Sequence, residues 1–426
     1  MSTKPVRSDP RRLSCVCAST QQSAPPQRAP LPRAAHDARV LRASVYVHFP
    51  WCLQKCPYCD FATRPIARAE VPHEAYADAI VAELEARRAD TEGRALVSVF
   101  FGGGTPSLWD ARALGRVLDG IRRAFGREED ALEITVECNP SSLDRSKAEA
   151  FASVGVNRLS VGVQSLDDAR LRFLGRLHDP AGALTALEHA LAAVPRVSGD
   201  LMFGQPGQSA EEFGREVETL TALGLRHVSA YALTIEPDTQ FGALAKKGKL
   251  PLAKDDDVAD SFTATHAAFA ARGFEHYEVS NYARPGEESR HNLHYWRGGD
   301  YLGLGAGAVG CISDLETRTA RRWRNTPDAT AYMAAATSRD LVQMAAERET
   351  LSPDDRVREA LMLGLRTREG LDLRALAERT GVDPRRDRSA ALARRQSAGD
   401  LVCEGDVLRV PYERWLFLDG IVADLF

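Results

Sequence analysis

From Ser44 onward the chain alternates short β-rich runs with longer stretches whose apolar residues recur every three or four positions. Ser44–Phe49, Val97–Phe101, Leu132–Val136, Arg158–Val163, Val197–Phe203 and His227–Leu233 have the length and β-branched or aromatic content of strands. Glu74–Ala89, Ala111–Phe125 and Glu211–Leu223 carry helical spacing between them. Such alternation predicts parallel βαβ units, as an open doubly wound sheet or as a barrel.

Residues 234–350 leave this rhythm. They hold a helical stretch around Asp256–Arg272, a Gly-rich turn region at Gly298–Gly310 and a further helix around Thr326–Ala336. From about Ser352 a separate small unit is expected, with a helix at Asp354–Arg366 and a helix-turn-helix-like stretch at Leu373–Arg395. A hairpin around Glu404–Gly405–Asp406 completes a winged-helix-like pattern. Residues 350–426 hold thirteen arginines against fourteen acids, so a phosphate-binding surface is missing and nucleic acid is not an expected partner.

Composition changes this picture at one end only. The formal net charge is -4, but residues 1–43 carry eight basic residues, two acids and six prolines. The rest then holds 47 basic against 57 acidic residues. A Pro/Arg-rich start with little apolar content is expected to be disordered. Transit peptides share its arginines, yet six prolines spoil an amphipathic targeting helix, so a cytoplasmic protein is expected. No run of about eighteen apolar residues is present, so no membrane span is expected.

Eight cysteines without regular pairing do not make a disulfide framework in a chain of 426 residues. Three crowd together in Cys52-Leu-Gln-Lys-Cys56-Pro-Tyr-Cys59, directly after the first predicted strand. This CxxxCxxC spacing lets one loop present three thiolates to an iron–sulfur cluster and leaves the fourth iron open. An open iron can chelate a small molecule, and for this spacing the guest is S-adenosylmethionine (SAM), cleaved by one electron to a 5′-deoxyadenosyl radical. The bland alternative is a zinc knob built from the three cysteines and His48, or cysteines that are merely buried.

The chain here resembles the radical SAM superfamily. Gly102-Gly-Gly-Thr105-Pro106, Glu137-Cys-Asn-Pro140, Gly162-Val-Gln164-Ser165, Asp200–Gly207 and Tyr231-Ala232 each sit at the end of a predicted strand. In a parallel barrel such ends converge on one site. Singly, each reads as a tight βα turn, a capping carboxylate or a surface residue.

From Ser44 to Phe426 the chain is similar to the oxygen-independent coproporphyrinogen III oxidase-like group, and within it to the HemW-type haem chaperones. Phe61 stands where the oxidases carry a further cysteine. His291-Asn292-Leu293-His294-Tyr295-Trp296 matches the chaperones' HNxxYW motif. The resemblance implies a partial (β/α)6 TIM-like barrel over residues 44–280, a connecting region at 281–350 and a small α-rich domain at 351–426. It implies a [4Fe-4S] cluster on Cys52, Cys56 and Cys59. It places Tyr46, Tyr58, Gly103, Gly104, Thr105, Glu137, Gln164, Arg176, Asp200 and Ala232 at SAM contacts. It implies haem at His291, His294, Tyr295 and Trp296, and His291, which follows the polar stretch Pro285–Arg290 expected to form an exposed loop, is the candidate ligand. Acceptor apo-haemoproteins are the implied partners; peripheral contact with membrane haemoproteins and homodimerisation stay open. The alternative is an oxidase-like enzyme of porphyrin biosynthesis. Val309, where a histidine is expected, and Phe203 and Gln205 depart from the pattern.

Overall fold

The computed structural model describes residues 41–426. Six parallel strands form the centre of one sheet and pair in chain order: β1 (Leu41–Phe49), β2 (Arg94–Gly103), β3 (Glu128–Cys138), β4 (Arg158–Gln164), β5 (Arg196–Phe203) and β6 (His227–Ala232). Helices α1 (His73–Ala86), α2 (Ala111–Phe125), α3 (Arg145–Ser153), α4 (Pro180–Ala193) and α5 (Ala210–Ala222) follow the first five strands in turn. Alternation along each strand sorts the two faces. Val45, Val47, Phe49, Val99, Phe101, Ile134 and Val136 pack with Ile80, Leu114 and Leu118 of the helical layer. Tyr46, His48, Phe100 and Glu137 of the opposite set gather on the concave side.

Two expectations need correction. The strand β1 starts at Leu41, so residues 41–43 belong to the sheet rather than to a disordered extension. Ala43 is fully buried, and Arg42 meets Glu129 at 2.5 Å. The rest of the extension, with Cys15 and Cys17, lies outside the described residues. The Gly-rich region is no mere turn either: β9 (Asp300–Leu304) lies inside it and pairs in parallel with β1. Its strand signal is masked by Gly303, where a Cβ would fall 2.0 Å from the Val309 carbonyl oxygen.

Residues after β6 form α6 (Gln240–Lys246), α7 (Asp255–Ala270), β7 (Glu275–Glu278), β8 (Asn281–Ala283) and α8 (Arg290–Trp296). Beyond β9, three antiparallel strands widen the sheet: β10 (Val309–Ser313), β11 (Ala320–Asn325) and β12 (Ala345–Leu351). The order is β12-β11-β10-β9-β1-β2-β3-β4-β5-β6-β8-β7, and among the described residues no ladder joins the two ends. The sheet is a partial barrel. Residues between β11 and β12 include α9 (Ala329–Thr337).

One buried carboxylate ties this extension to the barrel. Glu83 of α1 is fully buried and pairs with Arg87 at 2.8 Å. It also accepts from the Gly305 amide (3.0 Å), Asn325 Nδ2 (2.8 Å) and the Tyr332 hydroxyl (2.7 Å). A buried charge persists when its lone pairs are filled this way.

The C-terminal part has its own core of Val357, Leu361, Leu376, Leu408, Trp415 and Ile421. Helices α10 (Pro353–Gly364), α11 (Leu373–Thr380) and α12 (Ser389–Ser397) surround a small antiparallel sheet. It meets the barrel through rings. Tyr412 stacks on His266 at 4.0 Å, and Trp415 stands edge-on to His276 at 4.8 Å. Burial lowers the pKa of His276 to about 3, against the opposing pull of its bond to the Val279 carbonyl.

A histidine held neutral binds its proton at lower pH in the folded than in the unfolded chain. The stability this gives is present above about pH 6.5, the unfolded value, and is lost as pH falls toward 3. Thermal unfolding should therefore show the melting temperature falling between pH 7.5 and pH 5. The fall should be shallower in His276→Phe, and equal slopes in the two proteins would rule this account out.

Candidate cofactor site

The carboxyl ends of β1 to β6 converge, and the three-cysteine loop leaves β1 directly above them. Trp51–Cys52 pairs with Arg64–Pro65, closing the loop on itself. The turn after β4 holds it from one side, with Gln54 donating to the Gly175 carbonyl at 3.4 Å. Helix α6 holds it from another: the Phe241 amide donates to the Pro57 carbonyl at 2.8 Å, and Phe241 packs beside Tyr58. All three thiols are free and half-buried. Burial pushes the Cys52 thiol up, opposed by the Thr105 hydroxyl; burial raises Cys59 as well.

The zinc-knob alternative does not fit. His48 bonds Tyr46 through Nδ1 at 3.0 Å and the Ala62 carbonyl through Nε2 at 3.2 Å. The carbonyl can only accept, so Nε2 carries the proton and Nδ1 accepts from the tyrosine. Burial lowers the His48 pKa to about 4, which keeps the ring neutral. Neither nitrogen is left for a metal, and among the described residues no three side chains converge for a single ion.

The glycine turn after β2 is sewn to the end of β1. The Gly104 amide donates to the Phe49 carbonyl (2.7 Å) and the Thr105 amide to that of Trp51 (2.8 Å). Gly103 has φ +108°, and a Cβ there would lie 2.5 Å from the His48 ring. A Cβ on Gly104 would lie 2.5 Å from the Trp51 carbonyl oxygen. Backbone is thus brought where no side chain fits.

Beneath the turn lie two buried carboxylates. Glu137 accepts from the Gly103 amide at 3.0 Å. Burial, and then the nearby Asp200, push its pKa up to about 8. Asp200 accepts from Ser229 (2.8 Å) and Ser160 (3.2 Å), and its pKa is raised by burial against those bonds. Two acids in a dry site favour a cationic guest.

Opposite them, Arg176 donates to the Gly162 carbonyl (2.8 Å) and toward Cys56 Sγ (3.7 Å), while its buried Nε has no partner. No carboxylate faces this guanidinium among the described residues, and an anionic group is what it lacks. Tyr231 donates to Gln164 at 3.0 Å. Gln164 holds φ +69°, strained for a non-glycine residue. Ala232 ends β6 at the same rim. A small, partly open depression lies beside Cys56, between Leu53, Thr105, Asn139, Arg176 and Leu177. Three thiols, an orphaned arginine, a bare backbone turn and two acids are a donor set suited to an iron–sulfur cluster with a zwitterionic ligand.

Residues 46–220 match the family model of the radical SAM superfamily, and residues 351–417 match that of the HemN C-terminal domain. "Heme chaperone HemW" of Mycobacterium tuberculosis is 36% identical over 383 residues, covering 89% of this chain and 94% of that one. This chain belongs to the HemN-like group of radical SAM proteins, with the HemW proteins. The Escherichia coli HemW is 41% identical over 280 residues, covering 65% and 72%. The mitochondrial "Radical S-adenosyl methionine domain-containing protein 1" of Danio rerio is 33% identical over 396 residues, covering 91% and 88%. Among solved structures, coproporphyrinogen III oxidase (HemN) from Escherichia coli shares the fold, with a TM-score of 0.74 at 22% identity over 91% of each chain. The radical SAM family implies SAM and a [4Fe-4S] cluster. No helix among the described residues is long and apolar enough to cross a membrane.

The HNxxYW segment lies elsewhere, and the structure corrects its expected setting. It forms α8, and the loop expected at Pro285–Arg290 lies before it, exposed at Pro285 and Gly286. His291 is only 5% exposed; its Nδ1 pairs with Ser98 Oγ at 2.9 Å and its ring stacks on Phe100 at 4.8 Å. Burial drives its pKa well below the usual histidine value. Tyr295 packs on His291 and Tyr301. His294 bonds the Asp300 carbonyl at 2.8 Å, and Trp296 lies near Glu278, whose pKa burial lifts to about 7.

Sequence reasoning missed what holds α8 in place. Glu133 of β3, fully buried, accepts from the amides of His291 (3.0 Å) and Arg290 (3.2 Å) and pairs with Arg196 at 2.6 Å. It also missed His227, which bridges Ser198 (2.7 Å) and Tyr277 (2.8 Å). The available signal was every second residue of β3 and β5 being polar inside apolar runs.

The glycine turn gives a test. Gly104→Ala should displace the end of β1 that carries Cys52, so reconstituted protein should hold less than half the wild-type iron. Gly214→Ala, where a Cβ meets nothing within 4 Å, should reconstitute like wild type. Full iron in Gly104→Ala would show that the close approach is not needed.

Proposed function

We propose that the chain is a haem chaperone that binds haem and passes it to apo-haemoproteins, carrying a [4Fe-4S] cluster on Cys52, Cys56 and Cys59. The observation that carries this is the end-to-end match to a protein named haem chaperone, over 89% of this chain and 94% of that one. When bound, the cluster supplies one electron to the sulfonium of SAM.

On this reading the chain's own groups divide the task of holding SAM. Glu137 and Asp200 take its amino group and a ribose hydroxyl pair. Backbone of Gly103, Gly104 and Thr105 approaches the methionyl end, and Arg176 takes its carboxylate. Tyr46, Tyr58, Gln164 and Ala232 line the remainder. Phe61, 55% exposed at the end of the cysteine loop, stands where the oxidases carry a cysteine. No conversion of coproporphyrinogen III to protoporphyrinogen IX is therefore expected, and steady anaerobic turnover with SAM and a reductant would move the protein to the oxidase reading.

Haem is proposed to contact the HNxxYW segment, with His291 as iron ligand and Tyr295 and Trp296 against the porphyrin. In the conformation described here His291 faces inward, so this contact requires α8 to leave its seat. Glu133 is the latch, because it holds the first amides of α8. Haem titration followed in the Soret band should show His291→Ala binding at least tenfold more weakly than wild type, with His294→Ala less affected. Glu133→Gln, which loosens the seat, should take up haem faster. An unchanged spectrum and affinity in His291→Ala would make the motif a packing element and remove haem from it.

A further inference from the structure

Among the groups around the cysteine loop, Arg176 stands apart in its electrostatics. Almost every other buried or half-buried arginine near the barrel has a carboxylate: Arg87 has Glu83, Arg94 has Asp300, and Arg196 has Glu133. Arg176 has a peptide carbonyl, a thiol and an unpartnered Nε. The carbonyl of Gly162 fixes Nη2 at the end of β4, and this aims Nη1 at Cys56 Sγ. The Tyr58 hydroxyl shares this space, its ionisation opposed by burial and favoured by Arg176.

We propose that Arg176 sets the reduction potential of the cluster through its cationic N–H···S contact with Cys56, in addition to any contact it makes with SAM. This rests on the cluster reading above. The physical basis is that hydrogen bonds and charge at the cysteine sulfurs are among the factors that set such potentials. A cluster gains one negative charge on reduction. A fixed cation beside one of its sulfurs stabilises the reduced form and raises the potential, and the effect is large where the surroundings exclude water. The three cysteines are unequal in this respect, since the guanidinium serves Cys56 alone among them. Arg176 is thus a positioning and tuning residue for the cluster.

The test is a redox titration of the reconstituted full chain, without SAM or haem, monitored by electron paramagnetic resonance of the reduced cluster. Arg176→Gln keeps a donor but removes the charge. At a fixed potential its ratio of reduced to oxidised cluster should fall about tenfold, which is a shift of about 59 mV to lower potential for one electron. Arg176→Lys keeps the charge but cannot bridge Gly162 and Cys56, so it should shift the same way by a smaller factor. Arg172→Gln, an exposed arginine four residues earlier, should titrate with wild type. A potential equal to wild type in whichever Arg176 variant holds its full iron overturns the proposal, even if SAM affinity is lost, because Arg176 would then serve SAM alone. Failure of the cluster reading looks different: wild type itself would hold no iron.

Discussion

The concave face of the barrel depends on one fully buried carboxylate, that of Glu133, and the arginines around it. Glu133 and Arg196 meet at 2.6 Å, with Arg158 a further 4.0 Å from the same carboxylate. Removing this carboxylate should cost about 3–5 kcal/mol, because it leaves the buried Arg158 without its ion-pair partner. The pair does more than neutralise itself. Its carboxylate seats α8, and α8 in turn places His291 against Ser98 and Phe100, closing one side of the lumen with aromatic surface. At the carboxyl ends, by contrast, the buried Nε of Arg176 has no partner.

A second carboxylate does the equivalent work outside the lumen. Glu83 gathers donors from β11, α9 and the turn after β9, and that turn bears on the cysteine loop. A Cβ on Gly307 would meet Ala62 at 3.0 Å, and the Tyr76 hydroxyl links the carbonyl of His48 to the amide of Ala306. The strands added beyond β9 therefore brace the loop as well as widening the sheet. This gives the departing Val309 a concrete setting, in β10 at the end of that turn, where its carbonyl packs against Gly303.

Much of the fold was legible because its signals are local. Six runs of β-branched and aromatic residues predict six strands, and helical spacing predicts a helix over Ala111–Phe125, where α2 lies. The cysteine spacing and the sequence of Gly-rich or acidic strand ends pointed to the site for the same reason. What stayed hidden depends on partners distant in sequence. Leu41 to Ala43 look like the end of an arginine-rich tail until β2 is known to pair with them. His291 looks like an available ligand until Glu133, 158 residues earlier, is seen to hold its amide. β9 is short and hemmed in by Gly298, Gly299, Gly305 and Gly307, and its place in the sheet comes from packing rather than propensity.

The pairing of β1 with β9 also has a consequence in time. Val45 lies beside Leu302 in the finished sheet. At a synthesis rate of about 5–20 residues per second, roughly 13–50 s separate the emergence of these two neighbours from the ribosome. For that interval β1 has one open edge, and the cysteine loop that follows it lacks the turn that later braces it. The bracing of the cysteine loop is therefore completed late in the life of the nascent chain, after most of its length has been made.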